Sequence, residues 1–255
     1  MSDAARLTPK EWVEGTRIVF ARELEAYFDS PIAYIYATVF LVLSCTTFMN
    51  SFFLDAVVDM SPYFELLPFL LIAFVPAITM RTWAEERAQH TFELLMTLPL
   101  HSLQVVLGKY LAALCFYLVV LLGTLPIVFM LVWLGDPDMG LILCNYLGAL
   151  FLGAFFLAFG LFASGLTREQ IVAFVLAGLL GFFFVLSGHD KVVEVIDGLL
   201  PSWQLGTWLY ESISVLPHYQ AFGRGLIGLA HVLYFVLMSG FFIWMNQLTL
   251  QRNKD

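Results

Sequence analysis

Charge is what this sequence has least of. Asp, Glu, Lys and Arg together make up 13% of its 255 residues, about half the share of roughly 25% usual in a soluble domain. With 60% hydrophobic residues and a mean hydropathy of +0.85, the chain is suited to a bilayer rather than to water. A formal net charge of -8 argues against a nucleic-acid partner, which selects basic surfaces. Cysteine is nearly as scarce. Cys45, Cys115 and Cys144 fall in or at the ends of apolar runs, odd in number and without CxxC or metal spacing, and read as small apolar fillers.

The motifs that carry chemistry are missing too. There is no GxxxxGK[ST] loop, so the chain is not expected to bind ATP itself, and no GxSxG or HExxH to mark an intramembrane hydrolase. No catalytic, cofactor or metal residue is expected. His90, His101, His189, His218 and His231 lie near predicted span ends without shared ligand spacing, and read as satisfied interfacial side chains. The middles of the apolar runs hold no Asp, Glu, Lys or Arg. That weakens a reading as a proton-coupled transporter or charged-ring channel. The first fifteen residues lack the short apolar core and small-residue cleavage site of a secretory signal, so the first membrane helix is expected to direct insertion.

What is present is a series of long apolar runs. Thr8-Pro9-Lys10-Glu11 has the form of a capping box with proline at the first helical position. The helix it opens, over 8–29, puts Val13, Phe20, Leu24 and Tyr27 on one side and Glu14 and Glu25 on the other, with Arg17 and Arg22 on its flanks. Such a helix lies in the membrane interface. After Ser30-Pro31 come spans expected at 32–53, 63–80, 106–133, 141–166, 171–187 and 229–248, six in all. Pro68 and Pro76 are expected to kink the second span, and the third is long enough to tilt and carries Pro126 inside it. The segment 188–228 carries scattered charges and is interrupted by Pro201 and Pro217, which predicts short interfacial or re-entrant helices.

Charge placement fixes an expected orientation. With the N-terminus inside, ten of the twelve Lys and Arg fall on the cytoplasmic side, leaving only Lys191 and Arg224 outside. The positive-inside rule then selects N-in, C-in. The charged segment Arg81–Pro99, between spans two and three, becomes cytoplasmic. Wound as a helix it places Ala84, Ala88, Thr91, Phe92 and Leu95 on one face and Glu86, Gln89, His90 and Glu93 on the other. It reads as a docking element lying flat on the membrane, its acidic face toward a partner in the water.

This layout resembles the membrane subunit of type-2 ABC exporters, most closely the branch named after gliding-motility permeases. The resemblance is carried by the run Glu25–Tyr34 and by Val75-Pro76-Ala77-Ile78-Thr79-Met80-Arg81 continuing into Glu85-Glu86-Arg87. It continues through Thr91-Phe92-Glu93-Leu94-Leu95, Leu98-Pro99 and Gly108-Lys109. Gly160–Ser164 with Thr167–Gln170, Pro217-His218-Tyr219 and Gly223-Arg224-Gly225 complete it. The family usually has a glycine just before the threonine of the ERxxxTxELLxTLP run; here it is His90. Acidic residues common near the start of span six are replaced by Gly228 and His231.

The resemblance implies an all-α polytopic membrane protein in the cell inner membrane. It would have six transmembrane helices, N-in/C-in, an N-terminal interfacial helix, and a coupling helix over 81–99. Two such permease copies, or this one with a related permease, would sit on two ABC ATP-binding subunits that hold ATP and Mg. Glu86, Gln89, His90 and Glu93 would contact the ATPase while Phe92 and Leu95 pack against the spans. Glu14, Arg17 and Glu25 of the interfacial helix would make a second ATPase contact. The chain itself would be no enzyme. It would move a substrate outward or, in the alternative reading, drive an extracytoplasmic auxiliary protein with nothing crossing.

Overall fold

The computed structural model describes residues 8–55, 59–89, 91, 92, 100–199 and 204–252. Among them are eleven α-helices: α1 Pro9–Asp29, α2 Pro31–Asp55, α3 Ser61–Ala88, α4 Ser102–Leu122, α5 Leu125–Leu134, α6 Met139–Leu166, α7 Gln170–Leu186, α8 Asp190–Leu199, α9 Leu205–Ser212, α10 Leu216–Gly223 and α11 Leu229–Arg252. By length and composition α2, α3, α4 with α5, α6 and α11 can each cross a membrane. The bent pair α7 and α8 makes a sixth candidate if counted as one span. Helices α3 and α6 stand at the centre, with α2, α4, α7 and α11 around them.

Local chemistry accounts for most helix ends. Thr8 caps α1 in a capping box: its Oγ1 accepts from the Glu11 N–H at 3.4 Å, and Glu11 Oε2 accepts from the Thr8 N–H at 2.8 Å. Asp138 accepts from the Leu141 N–H at 3.0 Å and so opens α6. Pro126 sits in the first turn of α5. It therefore starts a new helix after the break at Gly123–Thr124, rather than bending one continuous span over 106–133. A proline in the first turn lacks only an N–H that would have no helical partner there. Past Leu186 the chain turns by 84° into α8. The Asp197 carboxylate then caps α9, accepting from Gly206 N–H at 2.6 Å and from the Thr207 hydroxyl at 2.7 Å.

Two sequence expectations change. Span two was placed to end at Met80, yet α3 runs unbroken to Ala88, because nothing in Arg81–Ala88 breaks a helix. The first half of the expected flat segment is thus an extension of a span, and its helix ends at Gln89. The second change is on α1. The buried side is Gly15, Thr16 and Val19, whereas Val13 is 62% exposed. The helix packs on α4, whose approach the helical pattern of α1 alone does not reveal.

The core is aromatic. Phe155 on α6 meets Phe184 of α7 at 4.9 Å, Phe159 at 5.3 Å and Phe242 of α11 at 6.0 Å between ring centroids. In lipid there is little hydrophobic drive between helices, so close packing and small residues decide which faces meet. A Cβ on Gly153 would lie 2.1 Å from the Tyr117 ring, so only glycine admits α4 this close to α6. Hydroxyls fasten the same contact: Tyr117 donates to the Ala149 carbonyl at 2.9 Å and Tyr110 to that of Ala154 at 3.1 Å. At the far end, Tyr219 of α10 donates to the Phe64 carbonyl of α3 at 2.9 Å.

Candidate functional site

The end of the bundle where α1 packs gathers the start of α2, the ends of α3 and α11, and the start of α4. Its centre is Lys109, about two turns into α4 and only 1% exposed. An ammonium so placed needs anions. Its Nζ donates to Glu23 Oε1 of α1 at 2.9 Å, to Glu86 Oε1 of α3 at 2.8 Å and to the Thr82 carbonyl at 3.2 Å. It also lies 4.8 Å from the centre of the Trp83 ring. Arg22 joins from outside, donating through Nη2 to Glu86 Oε1 at 3.3 Å and to Glu23. Three helices are thereby tied at one point.

Glu23 shows the electrostatics. Burial acts to raise its pKa, but the Lys109 charge and the hydrogen bonds from Arg22 and Lys109 outweigh it, leaving the carboxyl below its ordinary value. Beside this cluster Arg81 donates from Nε to Glu85 at 2.8 Å and from Nη1 to the Ser30 hydroxyl at 3.1 Å. Gln104 secures α1 to α4: its Nε2 donates to the Trp12 carbonyl at 3.0 Å and its Oε1 accepts from the His101 N–H at 2.7 Å.

The expected docking residues are distributed as follows. Glu86 is turned inward to Lys109, its side chain 19% exposed. Its place is explained by a partner twenty-three residues along the chain, which a helical wheel of 81–99 cannot contain. Gln89 is exposed and donates to Glu85 Oε1 at 3.3 Å. Phe92 is buried against Trp83, edge to face at 6.2 Å, with the Arg87 guanidinium 5.0 Å from its ring centre. Glu14, Arg17 and Glu25 are exposed on the outer side of α1. His90, Glu93 and Leu95 lie outside the described residues.

Sequence reading missed Lys109 as the centre. The signal was there: a lysine just inside an apolar run demands acidic partners, and Glu23 and Glu86 begin on neighbouring segments. It also missed Ser164. The Ser164 Oγ on α6 accepts from the backbone N–H of Trp83 at 3.1 Å and of Ala84 at 3.2 Å, and donates to the Met80 carbonyl at 3.0 Å.

A cavity of about 670 Å³ opens beside the ion cluster, bounded by α1, α2, α3 and Lys109. One end is charged and the other is apolar. At the opposite end of the bundle, His218 and His231 meet Nδ1 to Nδ1 at 3.0 Å, with Tyr234 stacked on His218 at 4.0 Å. Among the described residues no group of three metal-ligating side chains forms.

The arrangement is that of a membrane bundle with a reinforced handle at one end. A family model described as ABC-2 family transporter protein matches residues 46–247, most of the chain and all of α3 to α10. The chain belongs to this family. No curated protein matches its sequence. As an ABC-2 permease it is a multi-pass membrane component of an ABC transporter, and works with an ABC ATP-binding subunit rather than as the ATPase.

Proposed function

We propose that this permease, a member of the gliding-motility-type branch, couples ATP hydrolysis in two cytoplasmic ATP-binding subunits to outward movement of a substrate. Two permease copies would sit in the cell inner membrane with N- and C-termini cytoplasmic, ATP and Mg staying on the partner subunits. The segment 81–99 is the coupling element, with Gln89, His90 and Glu93 toward the ATPase and Phe92 and Leu95 toward the spans. Glu14, Arg17 and Glu25 give a second contact. Glu86 has a different part, tying the end of α3 to Lys109.

The observation that carries this reading is the knot of Lys109, Glu23, Glu86 and Arg22, which ties Glu86 of that segment to α1 and α4. A load applied after Ala88 reaches α3, α4 and α1 together.

The test is the introduction of positive charge outside the knot. Gln89→Lys with Glu93→Lys should reduce both co-purification of the ATPase and ATP turnover by the assembled complex. Unchanged assembly and turnover overturn the docking assignment. Glu86→Lys is the wrong variant for this purpose, because it also breaks the pair with Lys109.

A further inference from the structure

We infer that the 670 Å³ cavity holds a membrane phospholipid, its phosphate against the Arg22 and Arg81 guanidiniums and an acyl chain against the apolar walls. The inference goes beyond the docking reading and does not depend on it. The volume falls within the roughly 300–1,000 Å³ of ordinary ligand sites.

Unspent hydrogen-bond donors point to phosphate. Lys109 has three N–H groups, and all three are engaged by Glu23, Glu86 and the Thr82 carbonyl. The arginines differ. Arg81 uses Nε on Glu85 and Nη1 on Ser30, leaving Nη2 without a partner among the described residues. Arg22 uses Nη2 alone. Both line the cavity, and a guanidinium presents its donors in a fork suited to phosphate oxygens.

The cavity's polarity runs along the bundle. Ser30, Arg81 and Glu85 lie at the charged end, while Ala33 and Tyr36 on α2 and Ala77 and Ile78 on α3 lie up to two turns deeper among the spans. Headgroup chemistry thus sits where a candidate span begins, and apolar walls sit inside it. A soluble phosphate ester has no use for those walls. Arg22, Arg81 and Lys109 balance Glu23, Glu85 and Glu86 on the lining, so a zwitterionic headgroup adds no net charge. Phosphatidylethanolamine is the probe of choice.

The full-length protein is extracted from vesicles of phosphatidylethanolamine and monoglucosyl diacylglycerol in equal amounts with matched chains, and the retained lipids are weighed by native mass spectrometry. The wild type should keep the phospholipid in preference to the glycolipid. Each arginine should contribute about fivefold to that ratio through its contact with the headgroup's phosphate, the scale of one basic group near lipid phosphate. Arg22→Gln with Arg81→Gln should bring the ratio close to one, and the corresponding lysine pair should retain most of it. Ala33→Trp should expel both lipids; if that variant elutes as aggregate, Ala77→Leu gives the same reading with a smaller change. An equal ratio in wild type and glutamine pair, or full lipid retention in a well-folded cavity-filled variant, overturns the inference. So does displacement by excess inorganic phosphate, which marks a soluble ligand, or loss of the lipid on assembly with the ATPase, which gives the cavity to the partner.

Discussion

Replacing Lys109 with methionine keeps most of the side-chain volume and removes only the charge and its three hydrogen bonds. What remains is a pair of carboxylates, Glu23 and Glu86, with Arg22 alone to neutralise them. Their oxygens both lie within 2.9 Å of the lost ammonium, so they stand no more than about 6 Å apart. Two negative charges at that distance repel by about 3 kcal/mol at an effective dielectric constant near 20. Breaking a buried pair from one side usually costs about 3–5 kcal/mol. Glu23 and Glu86 are 14% and 19% exposed, and Arg22 stays, so the cost falls at or just below the bottom of that range: about 2–3 kcal/mol. The assay is reversible unfolding of the purified permease in mixed micelles. A second variant checks the cause, because Glu86→Gln in the Lys109→Met background removes one of the repelling charges. The double variant should therefore be more stable than Lys109→Met alone, a coupling that independent sites do not show. A cost below about 0.5 kcal/mol for Lys109→Met, or a double variant less stable than the single, would refute the reasoning.

Other outcomes follow from the same geometry. Glu23 has a folded pKa below its unfolded one, so its stabilisation is complete above the unfolded value and is lost as pH falls through the lowered one. The stability difference between wild type and Glu23→Gln, followed by acid titration, should shrink on that descent. At the opposite end, burial and then the neighbouring His231 push His218 below the ordinary histidine value. Wild-type stability should therefore fall as pH drops from the ordinary histidine range through the depressed value, and His218→Asn should remove that slope. A Cβ on Gly108 would meet the Val19 side chain at 2.7 Å, so Gly108→Ala should cost about 1–3 kcal/mol by overpacking, with α1 more open to protease than in the wild type. Ser164→Ala should destabilise by about 1–3 kcal/mol, and Ser164→Thr, which keeps the hydroxyl, by less.

The order of the long apolar helices was legible because long uncharged runs and turn residues mark them directly, whereas the expected six spans are five, or six with α7 and α8 taken as one. Legible too was the helix start at Thr8, whose side chain does the capping. Two kinds of information were not. Hydropathy marks where the solvent changes, and at Met80–Arg81 the solvent change and the helix end are eight residues apart. Direction within a helix depends on what packs beside it. Gly15 and Val19 face inward because α4 brings Gln104 and Gly108 to them, and Glu86 faces inward because α4 also brings Lys109. Of the ion cluster, the sequence therefore shows the charged residues but not their pairing, which belongs to tertiary structure. Gly123–Thr124 is an intermediate case: the proline was visible, but its position in the first turn of a new helix was not.

Ser164 has one more consequence. Its single hydroxyl belongs to α6, yet it closes a small circuit with three backbone groups of α3: the carbonyl of Met80 and the amides of Trp83 and Ala84. These groups lie where α3 leaves its apolar stretch and becomes the handle. Turning the handle about its own axis strains that circuit before it disturbs any side-chain packing deeper in the bundle. The circuit therefore holds α3 to α6 at the one level where α3 stops being apolar, and it does so through backbone atoms that no side-chain substitution in α3 removes.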